Sequence, residues 1–327
     1  MKTAGLAEVS PAWSEAWEKS QSSFSPPGLP VFEAGPLDAA LHTLRMPEAV
    51  NEAFRAARPF FADRPALQRL AWHLRCRLYA YGLTLDLKAR PRLPAALGPE
   101  ADMLDAFLAL AGLPFLEERH RRRGIDPAVT YETVSDIALW LIDFHDREGR
   151  WGFRQLDWSL TYLRDNLVQL GRLQFQPWRF PYPFHVYRRR RDGQVCLLAG
   201  DGIPFTADGQ FPSSRPAEPP AWTSRLRVEG VALVGHPVSE SGSVQARPVS
   251  LPAADWDKVF CPDSPALAIH IPASGPLDDA ACAESIRRAG AFFPRHYPEA
   301  AFDAFMCNSW LMDSQFADYL PAASNIL

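Results

Sequence analysis

The stretch from Ala266 to Leu320 constrains the fold more than any other part of the chain. Leu267, Ile269 and Ile271 alternate with Ala266, Ala268 and His270, which is the period of a strand. Pro272 to Pro276 interrupts it, and Asp278 is placed to cap a following helix, with Leu277 before it able to staple onto Cys282. Cys282, Ile286, Ala289 and Phe293 then recur at helical spacing. Pro294 and Pro298 are expected to end that helix. Ala304 to Leu311 reads as a second, buried strand, and Gln315 to Leu320 as a short helix stopped by Pro321. Strand, helix, strand over this length is a βαβ unit, which implies a parallel or mixed sheet with a right-handed crossover.

Upstream the pattern differs. Residues 1–36 are rich in Ser, Pro and Gly around Trp13 and Trp17 and read as a flexible leader with a helix near 11–20. From Leu37 the periodicity is helical. Pro65 opens one helix, with Leu67, Leu70, Leu74 and Leu78 on one face. Met103 to Leu110 forms another, expected to close near Gly112-Leu-Pro114. Val134 to Ile142 and Asp157 to Leu170 complete a helical domain over 37–168. Near Leu170 the chain changes to short aromatic and β-branched runs. His185–Arg191, Asp192-Gly193 and Gln194–Leu198 give a hairpin signal. Ile203 to Pro220 reads as an exposed loop, and Leu226–Pro237 and Gln245–Leu251 as further strands. The fold class is therefore α+β: a helical N-terminal domain, then an α/β domain over 169–327 with a mixed sheet.

Composition excludes several functions. A chain of 327 residues, 47% hydrophobic, with net charge −4, can bury a large core and has no basic excess to hold nucleic acid. Five scattered cysteines, none in C-x-x-C spacing, point to reduced thiols in a cytoplasmic protein. Neither a signal peptide nor an apolar run of the ~20 residues that a membrane span needs is expected. The spacing of Asp143, His145 and Asp146 offers no complete metal ligand set.

Six short segments occur in a specific order: Gly124-Ile-Asp-Pro with Thr133-Val-Ser-Asp-Ile137; Leu170-Gly-Arg-Leu-Gln-Phe175; Ala268-Ile-His-Ile-Pro272; Gly275-Pro-Leu277; Cys307-Asn-Ser-Trp-Leu311; and Ser324-Asn-Ile326. Over roughly 40–327 the chain resembles a bacterial family of acyltransferase-domain proteins, with an N-acyltransferase-like helical N-terminal domain and a GNAT-like C-terminal domain. The resemblance implies acyl transfer from an acyl thioester, acetyl-CoA or a longer acyl-CoA, to an amine. It makes 278–293 the helix facing acyl-CoA. Small-molecule donor and acceptor would be the partners, with no metal, nucleic acid or membrane. The family pattern runs on beyond Leu327.

The phosphate loop departs from the GNAT pattern. Pro272-Ala-Ser-Gly-Pro276 has a single glycine, and Asp278 and Asp279 would repel a phosphate. A non-catalytic binding protein on a degenerate GNAT fold is therefore the alternative. His270 is the candidate general base, its alternative a histidine hydrogen-bonded within the sheet. Tyr319 is the candidate acid for the leaving thiolate, and Ser309 a polar catalytic group at the strand end. Ile271, Ser274, Gly275, Cys307 and Asn308 are the candidate cofactor contacts. A Cys307–His270 nucleophilic pair would make a hydrolase instead. Because no ligand set is present, purified protein should contain no stoichiometric zinc and keep its melting temperature in EDTA. One zinc per chain, with loss of fold on chelation, would overturn this.

Overall fold

The computed structural model of the protein describes residues 11–81, 90–212, 219–313, 315–321, 323, 324 and 326. The chain divides into two compact units, Met1–Phe175 with Ile271–His296, and Gln176–His270 with Tyr297–Leu327.

The first unit is built from helices α1 (Pro11–Ser14), α2 (Trp17–Ser22), α3 (Ala34–Thr43), α4 (Glu48–Ala62), α5 (Pro65–Arg75), α6 (Leu104–Arg122), α7 (Pro127–Val134), α8 (Asp136–Glu148), α9 (Leu156–Leu163) and α10 (Asp279–His296). It also holds strand β1 (Val168–Leu170) and the start of β2 (Leu173–Arg179). The local signals are those of ordinary helix ends. Pro65 and Pro127 occupy first-turn positions, and Asp126 accepts the Ala128 amide at 2.8 Å. Gly149 ends α8 in the left-handed region, at φ 67°. Apolar faces then converge: the rings of Phe32, Phe61 and Phe107 lie 5.2–5.4 Å apart, all nearly or fully buried. Leu67, Leu70, Leu74 and Leu78 are buried along one face, as their spacing predicts.

Several elements differ from the sequence expectation, each for a packing reason. The described part of the leader is not loose: Trp13, Leu29 and Phe32 belong to the helical core, and buried His73 bridges Ser20 Oγ (2.8 Å) and the Trp13 carbonyl (2.6 Å). Helix α6 does not close at Gly112-Leu-Pro114 but runs on to Arg122. Tyr79 fills the space that a side chain at 112 would take and donates to the Leu108 carbonyl at 2.9 Å, while Pro114 faces solvent. Pro294 likewise lies inside α10 on an exposed position. The helix end is held beyond it, because Arg123 Nη1 donates to the His296 carbonyl and His296 Nδ1 meets the Arg123 carbonyl, each at 2.9 Å. Residues 168–170 are strand rather than the end of the α9 helix, pairing antiparallel with β2 across the Gly171-Arg172 turn.

The second unit takes β2 onward from Gln176 and adds β3 (Phe184–Arg189), β4 (Val195–Ala199), β5 (Pro204–Phe205), β6 (Trp222–Thr223), β7 (Leu226–Glu229), β8 (Ala232–Gly235), β9 (Val249–Pro252), β10 (Trp256–Phe260), β11 (Pro265–His270), β12 (Ala304–Cys307) and α11 (Phe316–Tyr319). Strand β11 lies beside β2 on one side and β12 on the other. The β11–β12 pair is parallel, with Ala266 opposite Ala304 and Ile269 opposite Cys307. With the antiparallel β1–β2 pair, this makes the mixed sheet that the βαβ pattern predicts. The Asp192-Gly193 hairpin forms between β3 and β4, and β10 pairs on the other side of β3. β10 itself has no counterpart in the sequence reading. Leu226–Pro237 is a hairpin of two strands, β7 and β8, turning at Gly230, rather than one strand. The expected strand 304–311 ends at Cys307, is only half-buried, and gives way to a 3-10 turn over Trp310–Met312. The expected exposed loop 203–220 buries Phe205 and Thr206; residues 213–218 of it lie outside the described residues.

Truncating Trp13 to Ala should lower the unfolding free energy by about 3–5 kcal/mol, as for a fully buried tryptophan. Denaturant titration checks this: a change within ~0.5 kcal/mol would mean that the leader carries no packing energy.

Candidate functional site

His270 ends β11 and is half-buried. Its Nε2 lies 3.0 Å from Gln176 Oε1 on β2, also in the second unit. An amide oxygen can only accept, so Nε2 is the donor in this contact. Burial holds the imidazole pKa below its ordinary value, so the ring is uncharged at neutral pH. The contact with Gln176 is the hydrogen bond within the sheet that the alternative reading of this residue expects.

Cys307 is one register step away and faces elsewhere. Because Ile269 is its partner in the parallel ladder, and successive residues alternate faces, His270 projects from the side of the sheet opposite to Cys307. The Cys307 residue is exposed, yet desolvation of its sulfur pushes the thiol pKa up. Neither geometry nor ionisation fits a Cys–His nucleophilic pair.

After β12 the chain enters a cleft of about 870 Å³ within the second unit, lined by Cys307, Asn308, Ser309, Trp310 and the turns at 208–210 and 240–243. Ser309 Oγ accepts the Leu311 amide at 3.3 Å, capping the 3-10 turn. Asn308 Nδ2 donates to the Tyr182 hydroxyl. Trp310 and Tyr319 are exposed, at 73% and 78%. Cys307, Asn308 and Ser309 are therefore brought into one cleft; His270 and Tyr319 do not line it.

Ile271, Ser274 and Gly275 sit in the loop between β11 and α10, in the first unit. Asp278 caps α10 as expected, its Oδ1 accepting the Ala281 amide at 2.8 Å. Unforeseen is Arg172 in the β1–β2 turn. Its Nε, Nη1 and Nη2 donate to the carbonyls of Pro276 (2.8 Å), Pro272 (2.9 Å) and Gly275 (2.6 Å), and its amide donates to Ser285 Oγ on α10 at 2.9 Å. Gly171 beside it takes φ 78°, and a Cβ there would meet Ser285 Oγ and Arg288 Nη1 at 3.1 Å. In the sequence the segment 170–175 stands out only as a motif, since nothing local pairs Arg172 with residues a hundred positions away.

The remaining candidates are accounted for locally. At the hairpin tip Arg189 pairs with Asp192 and Arg190 with Asp257. Buried His120 links Thr130 Oγ1 (2.8 Å) to Asp165 (3.3 Å), which also takes Arg123 (2.9 Å); this network locks α6 to α7 beneath an open cleft of about 830 Å³. His145 stacks on Trp151 at 4.3 Å. Among the described residues no group of three or more His, Cys, Asp or Glu is placed to hold a metal, and no helix is long and apolar enough to cross a membrane.

No curated protein matches the chain. Solved structures share its fold. An acyltransferase in complex with decanoyl-CoA has 24% identity, with 99% of this chain and 77% of that chain covered and a TM-score of 0.59. An acyltransferase in complex with CoA and 10C-teicoplanin has 22% identity, coverage of 99% and 76%, and a TM-score of 0.64. An acyltransferase in complex with decanoyl-CoA and teicoplanin has 24% identity, coverage of 99% and 76%, and a TM-score of 0.62. Residues 35–164 match the N-acyltransferase N-terminal domain and residues 167–327 the GNAT-like C-terminal domain. Helical first part, mixed sheet and both domain matches in order agree: the chain belongs to the family of two-domain proteins that join an N-acyltransferase N-terminal domain to a GNAT-like C-terminal domain.

Proposed function

We propose that the protein transfers an acyl group from acyl-CoA to the amine of a small-molecule acceptor. The observation that carries this reading is His270: a neutral imidazole, oriented by Gln176, at the C-terminal end of a strand in a parallel pair. Ligands lie typically at that end of parallel strands. Support comes from the acyltransferases of like fold, whose structures hold CoA or decanoyl-CoA and, in two cases, teicoplanin or 10C-teicoplanin.

In the reaction, His270 Nδ1 takes a proton from the attacking amine, directly or through water, as the new N–C bond forms at the thioester carbonyl. Negative charge gathers on the carbonyl oxygen, where Asn308 and Ser309 are the candidate donors. The C–S bond then breaks, and the CoA thiolate leaves and takes up a proton, for which the exposed Tyr319 phenol is the candidate source. Cys307 contributes an uncharged wall rather than a nucleophile. Ile271, Ser274 and Gly275 are the candidate contacts to CoA.

A second reading, a binding protein without turnover, is favoured by one feature: Asp278 already occupies the N-terminus of α10, where a phosphate would otherwise sit. Incubation with acyl-CoA and an amine acceptor separates the two, because only the transferase reading requires acylated product.

His270→Ala should lower kcat by ~10²–10⁴-fold while leaving acyl-CoA affinity nearly unchanged, with melting and circular dichroism matching the parent. The acid limb of the parent's kcat profile should fall below the ordinary histidine value, since a base with a depressed pKa stays deprotonated to lower pH. Full kcat in His270→Ala would overturn the general-base role. Cys307→Ser should be mild, and abolition of turnover by it would restore the nucleophile reading.

A further inference from the structure

We infer that the cleft at the C-terminal end of α10 binds an amphoteric small molecule, one that carries an amine, an apolar or aromatic body and a carboxylate, as a short peptide does. The cleft measures about 830 Å³ and lies wholly within the first unit, where the end of α6, the start of α7 and the last turn of α10 meet. Small-molecule sites typically span ~300–1,000 Å³. Helix α10 has 18 residues and is therefore about 27 Å long. The cleft thus stands a helix length away from the loop 272–276 and is separate from the candidate CoA contacts there.

The floor is built from groups that are already engaged. His120 is tied to Thr130 and Asp165, while His296 Nδ1 and the His296 carbonyl both meet Arg123. These contacts join α6 to α7 and to the end of α10, so the walls are placed before a ligand arrives and little ordering is left for binding to supply. Ile125, Val129, Tyr131 and Phe292 give the cleft an apolar and aromatic lining.

Charge decides the ligand class. The lining sets two carboxylates, Glu117 and Asp126, against two guanidiniums, Arg121 and Arg295, so it favours neither a polyanion nor a polycation. One of each sign is taken up inside the protein. Arg121 Nε and Nη2 donate to Glu118 at 2.8 and 2.9 Å, and Asp126 Oδ1 caps α7. Among the described residues, Glu117 and Arg295 form no ion pair. Glu117 is half-buried, and its partner is the Tyr131 hydroxyl, a neutral donor. Desolvation outweighs that hydrogen bond and raises the carboxyl pKa, as expected of an acid short of positive charge. A ligand ammonium supplies that charge. Arg295, exposed in the last turn of α10, offers its fork to a carboxylate. The body of the same molecule then lies against Tyr131 and Phe292.

The test measures binding to the full chain by calorimetry, so it is independent of turnover. The probes are phenylalanyl-leucine and two forms of it that each lack one charge, the N-acetyl dipeptide and the C-terminal amide. Acetylation should weaken binding by ~10–100-fold, the scale of a hydrogen bond to a charged group. Amidation should weaken it by ~2–5-fold, the scale of an exposed ion pair. Glu117→Gln should bind the dipeptide as weakly as the parent binds the N-acetyl form, and acetylation should then cost little more. Arg295→Gln should stand in the same relation to the amide, with melting matching the parent. Such non-additivity is the mark of direct contact, which a merely structural change does not give. If Glu117→Gln fails to fold, the exposed Arg295→Gln and the three probes decide. No binding of the dipeptide by the parent, equal affinity for the three probes, or losses in a variant that are the same for all three would overturn the inference.

Discussion

The parallel pairing of β11 with β12 is the constraint on which the rest of the structure depends. An antiparallel neighbour can be reached by a two-residue turn, but a parallel one cannot, so the chain must leave at His270 and return before Ala304. Two consequences follow. The connection has room for a helix as long as α10, which lends its buried face to the first unit. And both strands end on the same edge, so that His270 and the polar run Asn308-Ser309 follow the ends of adjoining strands instead of being spread over opposite edges. Register then sorts the chemistry: with Ile269 opposite Cys307, the imidazole and the thiol lie on different faces, and desolvation makes the thiol harder to ionise.

The second organising interaction is long-range. Arg172 satisfies three carbonyls in a loop where prolines remove amide donors, and its own amide is taken by α10. The guanidinium thereby ties the loop to the β1–β2 turn, a link that the loop's own composition does not reveal.

What was legible in the chain was what is local. The alternation of Leu267, Ile269 and Ile271, the capping by Asp278, the Asp192-Gly193 hairpin and the leucine face of α5 all follow from spacing within one element. The misreadings have one cause as well. Gly112-Leu-Pro114 and Pro294 are helix breakers by propensity, but Tyr79 packed on Gly112 and the Arg123–His296 exchange hold those helices together from outside. Trp13 looks like part of a loose leader in the sequence because its partner, His73, lies sixty residues away. Cys307 and His270 could be named as candidates, but their mutual orientation depends on register, which no single strand encodes. Arg172 was invisible for the same reason: its three acceptors are backbone atoms, which leave no side-chain signature at all.

Keeping His270 neutral links the proposed chemistry to stability. The desolvation that holds its folded-state pKa below the unfolded value means that the unfolded chain binds the extra proton more readily. Stability from this group is therefore fully present above about 6.5, the unfolded value, and is lost as pH falls through the depressed folded value. His73 and His185 are shifted in the same direction, each first by desolvation, so the three act together on the acid side. Their structural settings differ. His73 fastens the Trp13 segment to the helical core, and His185 lies within the β3 strand, so neither needs a proton-accepting role to explain its burial. His270 stands at a strand end and presents a polar ring to Gln176 where an apolar side chain would bury as well at no titration cost. The acid sensitivity that it adds is the thermodynamic counterpart of keeping a desolvated imidazole uncharged.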